Sequence, residues 1–121
     1  MATILIVDDN EPIRRLVAKV LEREGHGVEE ALDGNEAIAQ IDNTRFDAIV
    51  LDLMMPRANG FHVITALRER HPALLGRVVV MTAAIAHIDS QALEGVGAVV
   101  SKPFEIETIL KAVRLCLQKG E

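Results

Sequence analysis

The sequence predicts an α/β protein, a doubly wound parallel sheet of five strands with five helices, forming one domain over 1–121. Three observations predict it. Short apolar runs rich in branched residues recur at 3–7, 48–51, 78–81 and 98–100, too short for helices and too continuous for half-exposed strands. Stretches with helical spacing lie between them. Asp8, Asp52, Thr82 and Lys102 stand at or just past the ends of these runs, where a parallel sheet collects its ligands.

The first strand, 3–7, meets Asp8 and Asp9 at once. In the helix that follows, Ile13, Leu16, Val17, Val20 and Leu21 form an apolar stripe, Arg14, Arg15, Lys19 and Glu22 take the opposite, solvated face, and the end falls near Gly25. The second strand, 28–32, carries Glu29 and Glu30 in its middle and belongs near a sheet edge. Beyond the Asp33-Gly34 turn, Ala37, Ile38 and Ile41 give a short second helix. The third strand ends on Asp52. Pro56 and Gly60 shape the loop that leaves it, and Phe61, Ile64 and Leu67 give a third helix running towards His71-Pro72. The fourth strand ends on Thr82. Ile88, Ala92 and Leu93 space as a short fourth helix within 84–95, and the fifth strand precedes Lys102. In the final helix Ile106, Ile109, Leu110, Val113 and Leu117 recur at three- and four-residue steps, with Lys111, Arg114 and Lys119 towards its negative end.

Half of the 121 residues are apolar, enough for a core without disulfides or metal. Eighteen acidic against thirteen basic residues give a net charge of −5, so the chain lacks the basic field of a nucleic-acid binder. Cys116 is the only cysteine, which excludes an internal disulfide; it reads as a small apolar residue on a helix and fits a reducing compartment. The N-terminus lacks a signal-peptide pattern and no run is long enough to cross a membrane. A cytoplasmic location is expected. His26, His62, His71 and His87 lack metal-ligand spacing and read as surface or loop residues.

In the flavodoxin-like strand order 2-1-3-4-5 the switch point falls between strands one and three, where Asp8, Asp9 and Asp52 converge. Three crowded carboxylates repel one another unless something positive intervenes. Lys102 is one candidate. The other is a hard divalent ion, most naturally Mg²⁺, which prefers one or two carboxylates, waters and phosphate oxygens. A carboxylate with a metal beside it, an ammonium opposite and a hydroxyl in reach is set up for phosphoryl transfer. Asp52 would be the nucleophile, Asp8 and Asp9 would hold the metal, and Lys102 and the Thr82 hydroxyl would meet phosphoryl oxygens. An aspartyl phosphate hydrolyses readily and suits a timed signal.

Four motifs stand in order at strand ends: Val7-Asp8-Asp9, Leu51-Asp52-Leu53-Met54-Met55-Pro56 followed by Gly60, Met81-Thr82-Ala83, and Ser101-Lys102-Pro103-Phe104. On these the chain resembles, over its whole length, the response-regulator receiver family of two-component signalling. The resemblance implies that Asp52 takes its phosphoryl group from a phosphohistidine of a sensor histidine kinase or phosphotransfer protein, with small phosphodonors able to substitute. It implies Mg²⁺ on Asp9, Asp52 and the Met54 backbone carbonyl, with Asp8 acting through water. It also implies that Thr82, Ala83 and Lys102 bind the phosphoryl group and switch, and that the Lys102-Pro103 bond is cis. A chain of this kind catalyses only its own phosphorylation and dephosphorylation, and passes its state to a downstream protein.

Two features depart from the family pattern. Similar domains often carry Tyr or Phe three residues before the lysine, where this chain has Val99, and the stretch from Thr82 to Lys102 is shorter than usual. Both imply a relay unlike the aromatic swing of similar domains. Two other functions use the same residues: a degenerate receiver that binds a partner without phosphorylation, and a hydrolase with an aspartyl-phosphate intermediate. Retention of all five acceptor-site residues opposes the first, and the lack of an insertion long enough for a substrate cap opposes the second.

Overall fold

The computed structural model describes residues 2–53, 60–83, 88 and 90–118. Strand β1 (Thr3–Val7) is followed by helix α1 (Glu11–Arg23), β2 (Gly27–Ala31), α2 (Gly34–Asn43), β3 (Ala48–Asp52), α3 (Gly60–Arg70), α4 (Pro72–Leu75), β4 (Val78–Thr82), a 3₁₀ turn (Ser90–Leu93), β5 (Ala98–Ser101) and α5 (Ile106–Gln118). The strands form one parallel sheet in the order β2-β1-β3-β4-β5, with β2 at an edge as its two glutamates predict.

Side chains alternate across a strand, so each strand feeds two cores. Ile4, Ile6, Val50, Val79 and Met81 face α1 and α5, packing with Val17, Leu21, Ile109, Val113 and Cys116. Leu5, Val7, Ile49, Leu51 and Val80 face α2 and α3, packing with Ala37, Ile41, Val63, Ile64 and Leu67. Such two-sided burial is what the continuous apolar runs require. Among the described residues, no helix is long and apolar enough to cross a membrane.

The helix starts follow from local hydrogen bonding. Asn10 caps α1 by accepting from the Ile13 amide at 3.1 Å, and Asp33 caps α2 by accepting from the Glu36 amide at 2.9 Å. α1 gives way to β2 through Gly25, whose φ of 94° suits glycine. Cys116 is buried, as expected of a small apolar residue on a helix. Its sulfur fills the space beside Gly97, where an added Cβ would lie 2.5 Å from Sγ.

Four expectations need correction. The buried stripe of α1 is Arg14, Val17, Ala18 and Leu21, while Leu16 is 51 % exposed, so the helix is turned to bring an arginine inward. Strand β2 ends at Ala31, one residue early, because Leu32 turns outward and its amide donates to Glu36. The third helix, by contrast, runs from Gly60 to Arg70 and ends just before His71-Pro72 as expected, and Pro72, which suits a first helical turn, opens the separate turn α4. Within 84–95 the described residues form only the 3₁₀ turn; residues 84–87 and 89 lie outside the described residues, as do Met54, Pro56 and Lys119. Arg114, expected to favour the end of α5, instead pairs with Glu24 and Glu107, tying α5 to the end of α1.

Candidate functional site

The parallel register delivers the predicted residues to one rim. Val7 pairs with Leu51, so Asp8 and Asp52 emerge side by side from β1 and β3. Asp52 in turn pairs with Met81, placing Thr82 at the end of the next strand, and Thr82 pairs with Ser101, placing Lys102 beyond it. The Lys102 backbone amide donates to the Thr82 carbonyl at 2.9 Å, joining the threonine and lysine through main chain. The Lys102–Pro103 peptide is cis.

Asp8 leaves β1 with its amide on the Ala31 carbonyl, and its Oδ1 accepts from the Asn10 amide at 2.8 Å. Its Oδ2 is buried without a hydrogen-bond partner among the described residues. The Lys102 ammonium lies 3.7 Å from that oxygen and 3.3 Å from Asp52 Oδ2. Burial, reinforced by the charge of Asp52, pushes the Asp8 carboxyl up to about 6, against the Asn10 hydrogen bond and Lys102, which favour its ionised form. Asp9 is exposed beside them, and one carboxylate oxygen from each of Asp8, Asp9 and Asp52 lies within 4.8 Å of the others.

This donor set is oxygen only. Asp8 and Asp52 share the Lys102 ammonium with the Asp9 carboxylate close by, and among the described residues the buried Asp8 Oδ2 lacks a donor. A hard cation fits, bound directly or through a water on Asp8.

Asp8, Asp9, Asp52 and Lys102 thus meet where the sequence places them. Thr82 is fully buried at the end of β4, and Ala83 is exposed just past it. Val99 is half-buried on β5 and packs on the α2 and α3 face of the sheet. The Met54 carbonyl lies outside the described residues.

Sequence reasoning missed Arg14. Its Nη1 donates to the Asp8 backbone carbonyl at 2.9 Å, and its Nε donates to Glu30 Oε1 at 2.8 Å. Glu30 was the available signal: a glutamate inside a five-residue strand needs a cation nearby, and the facing helix offers Arg14 and Arg15.

Three kinds of likeness agree with this geometry. The response regulator receiver domain pattern matches residues 4–114. The transcriptional regulatory protein TcrA of Mycobacterium tuberculosis is 36% identical over 120 residues, covering 97% of this chain and 46% of that protein. The chain spans about half the length of the curated relatives it matches. Among solved structures, the chemotaxis response regulator CheY4 of Vibrio cholerae superposes with a TM-score of 0.85 at 34% identity, covering 97% of this chain and 99% of that one. The response regulator TrrA of Thermotoga maritima, solved in complex with Mg²⁺-BeF, gives 0.87 at 26% identity over 97% and 100%. With its four motifs at the ends of four strands and its carboxylates gathered at one rim, the chain belongs to the response regulator receiver domain family.

Proposed function

We propose that this receiver accepts a phosphoryl group on Asp52 in a Mg²⁺-dependent step and that the resulting state controls a downstream protein. The observation that carries the reading is the rim itself: Asp52 shares Lys102 with Asp8, whose buried Oδ2 lacks a donor. The donor is a phosphohistidine of a sensor kinase or phosphotransfer protein, which places the exchange in the cytoplasm.

In the transfer, an Asp52 carboxylate oxygen forms a bond to phosphorus as the P–N bond of the phosphohistidine breaks. The imidazole nitrogen leaves with the electron pair and takes up a proton. Lys102 follows the negative charge from the Asp52 carboxylate to a phosphoryl oxygen, and the Thr82 hydroxyl, with Ala83 beside it, meets another. Asp9 and Asp52 would hold Mg²⁺, with Asp8 and the Met54 carbonyl as the further ligands the resemblance implies. The ion supplies charge neutralisation at the transferring oxygens. The Mg²⁺-BeF complex of TrrA supports this part of the reading. With Val99 at the position where similar domains often carry an aromatic ring, the relay to β5 differs from an aromatic swing.

The test is incubation with phosphoramidate or acetyl phosphate, with and without Mg²⁺, followed by intact mass. One adduct is expected on wild type with Mg²⁺. Its absence, or an adduct that survives in Asp52→Asn, overturns the proposal.

A further inference from the structure

We infer that Arg14 is a positioning residue for the acidic rim, setting the peptide between Asp8 and Asp9 from behind; this rests on the phosphoryl-acceptor reading above. Arg14 is 6 % exposed although it sits on a surface helix. Burying a guanidinium is costly unless its donors are used, and Arg14 reaches two separate parts of the chain. Nη1 holds the Asp8 carbonyl, while Nε holds Glu30 on β2. Glu30 is itself fixed, since Gln40 of α2 donates to its backbone carbonyl at 3.0 Å and Arg15 lies 3.7 Å from its Oε2. The fork therefore ties the start of the Asp8-Asn10 turn to the sheet edge. The Asp8 carbonyl belongs to the same rigid peptide as the Asp9 amide. Its orientation sets how the Asp8 and Asp9 carboxylates leave the chain towards Asp52.

Charge and position make opposite predictions here. As a nearby positive charge alone, Arg14 would repel a cation, and removing it would tighten Mg²⁺ binding. As a geometric support, losing it should loosen the ligands and weaken binding, as loss of an outer-shell partner does by about ten- to a hundredfold. Arg14→Lys separates the two: it keeps the charge, but one ammonium does not reproduce the planar fork.

The experiment measures Mg²⁺ affinity by calorimetry in wild type, Arg14→Lys, Arg14→Met and Glu30→Gln. Metal-free amide spectra, hydrogen exchange and melting are recorded on the same proteins. Binding about tenfold weaker is expected in both Arg14 variants, and a smaller loss in Glu30→Gln, which keeps the acceptor and loses the charge. Without metal, the Asp9 and Asn10 amides should shift and exchange faster in Arg14→Lys while the distant amides of β4 hold. Unchanged affinity in Arg14→Lys, or tighter binding in Arg14→Met, overturns the inference while wild-type binding and phosphorylation leave the acceptor reading standing. A wild type that neither binds Mg²⁺ nor takes a phosphoryl group overturns both. If Arg14→Met does not fold, Arg14→Lys and Glu30→Gln decide.

Discussion

Asp8 is fully buried, accepts one hydrogen bond on Oδ1 and among the described residues leaves Oδ2 without one, so without metal it keeps its proton up to about pH 6. In the unfolded chain the same group releases its proton near its ordinary 3.8. Between these values the native state binds more protons than the unfolded state, so metal-free stability falls as pH rises from about 4 to about 7, by an amount on the order of 2 kcal/mol. Denaturant melts followed by circular dichroism measure this, since the chain has no Trp or Tyr. Asp8→Asn should remove that pH dependence and stabilise the metal-free protein at pH 7, because an amide carries no charge and can donate towards Asp52. A variant less stable than wild type at pH 7 would count against the crowding. Protons and Mg²⁺ compete for the same oxygens, so Mg²⁺ affinity should weaken as pH falls below about 6. At this scale the sequence was informative about which residues meet and silent about their electrostatic balance. Asp8, Asp9, Asp52, Thr82 and Lys102 follow from strand ends, whereas the partnerless Oδ2 depends on where the Asn10 amide and Lys102 ammonium come to rest.

Gly60 shows how one element is seated on the site. As the first residue of α3 it has its amide on the Leu53 carbonyl at 3.2 Å, and an added Cβ would lie 2.7 Å from Leu53 Cα and 2.8 Å from the Asp52 carbonyl oxygen. These are backbone atoms at the end of β3 and do not yield as a side-chain tip would. Gly60→Ala should therefore destabilise the fold by about 1–3 kcal/mol, despite alanine's better helix propensity. A melt unchanged or raised would show that α3 shifts freely against β3. Most elements were legible because their apolar spacing is regular, as in α5, where Ile109, Leu110 and Val113 are buried as read. The rotation of α1 was not. Its apolar residues admit two stripes related by about one residue, 100° on a helical wheel. The choice of Arg14 over Leu16 as the inward residue depends on Glu30, which only the β1 and β2 pairing brings opposite.

For the whole molecule, the alternation of apolar runs with helical segments sufficed for the parallel sheet and both helical layers, while the strand order, taken as flavodoxin-like, is the one observed. A parallel strand buried on both faces tolerates few other sequences. The segment between β4 and β5 resisted for the converse reason: Ala92 and Leu93 are only half-buried, and the stretch is held partly by Arg68 of α3 donating to the Glu94 carbonyl at 2.9 Å, a contact without sequence signature. The fold gathers its acids at the seam between β1 and β3, and the central claim is that this seam makes Asp52, rather than its neighbours, the phosphoryl acceptor. Site mapping tests that most directly. After phosphoramidate treatment with Mg²⁺, borohydride reduction converts an acyl-phosphorylated aspartate to homoserine, which peptide mass spectrometry locates. Homoserine at Asp52, dependent on Mg²⁺, is the predicted result; homoserine at Asp8 or Asp9 in the wild-type protein, or none with Mg²⁺ present, would contradict it.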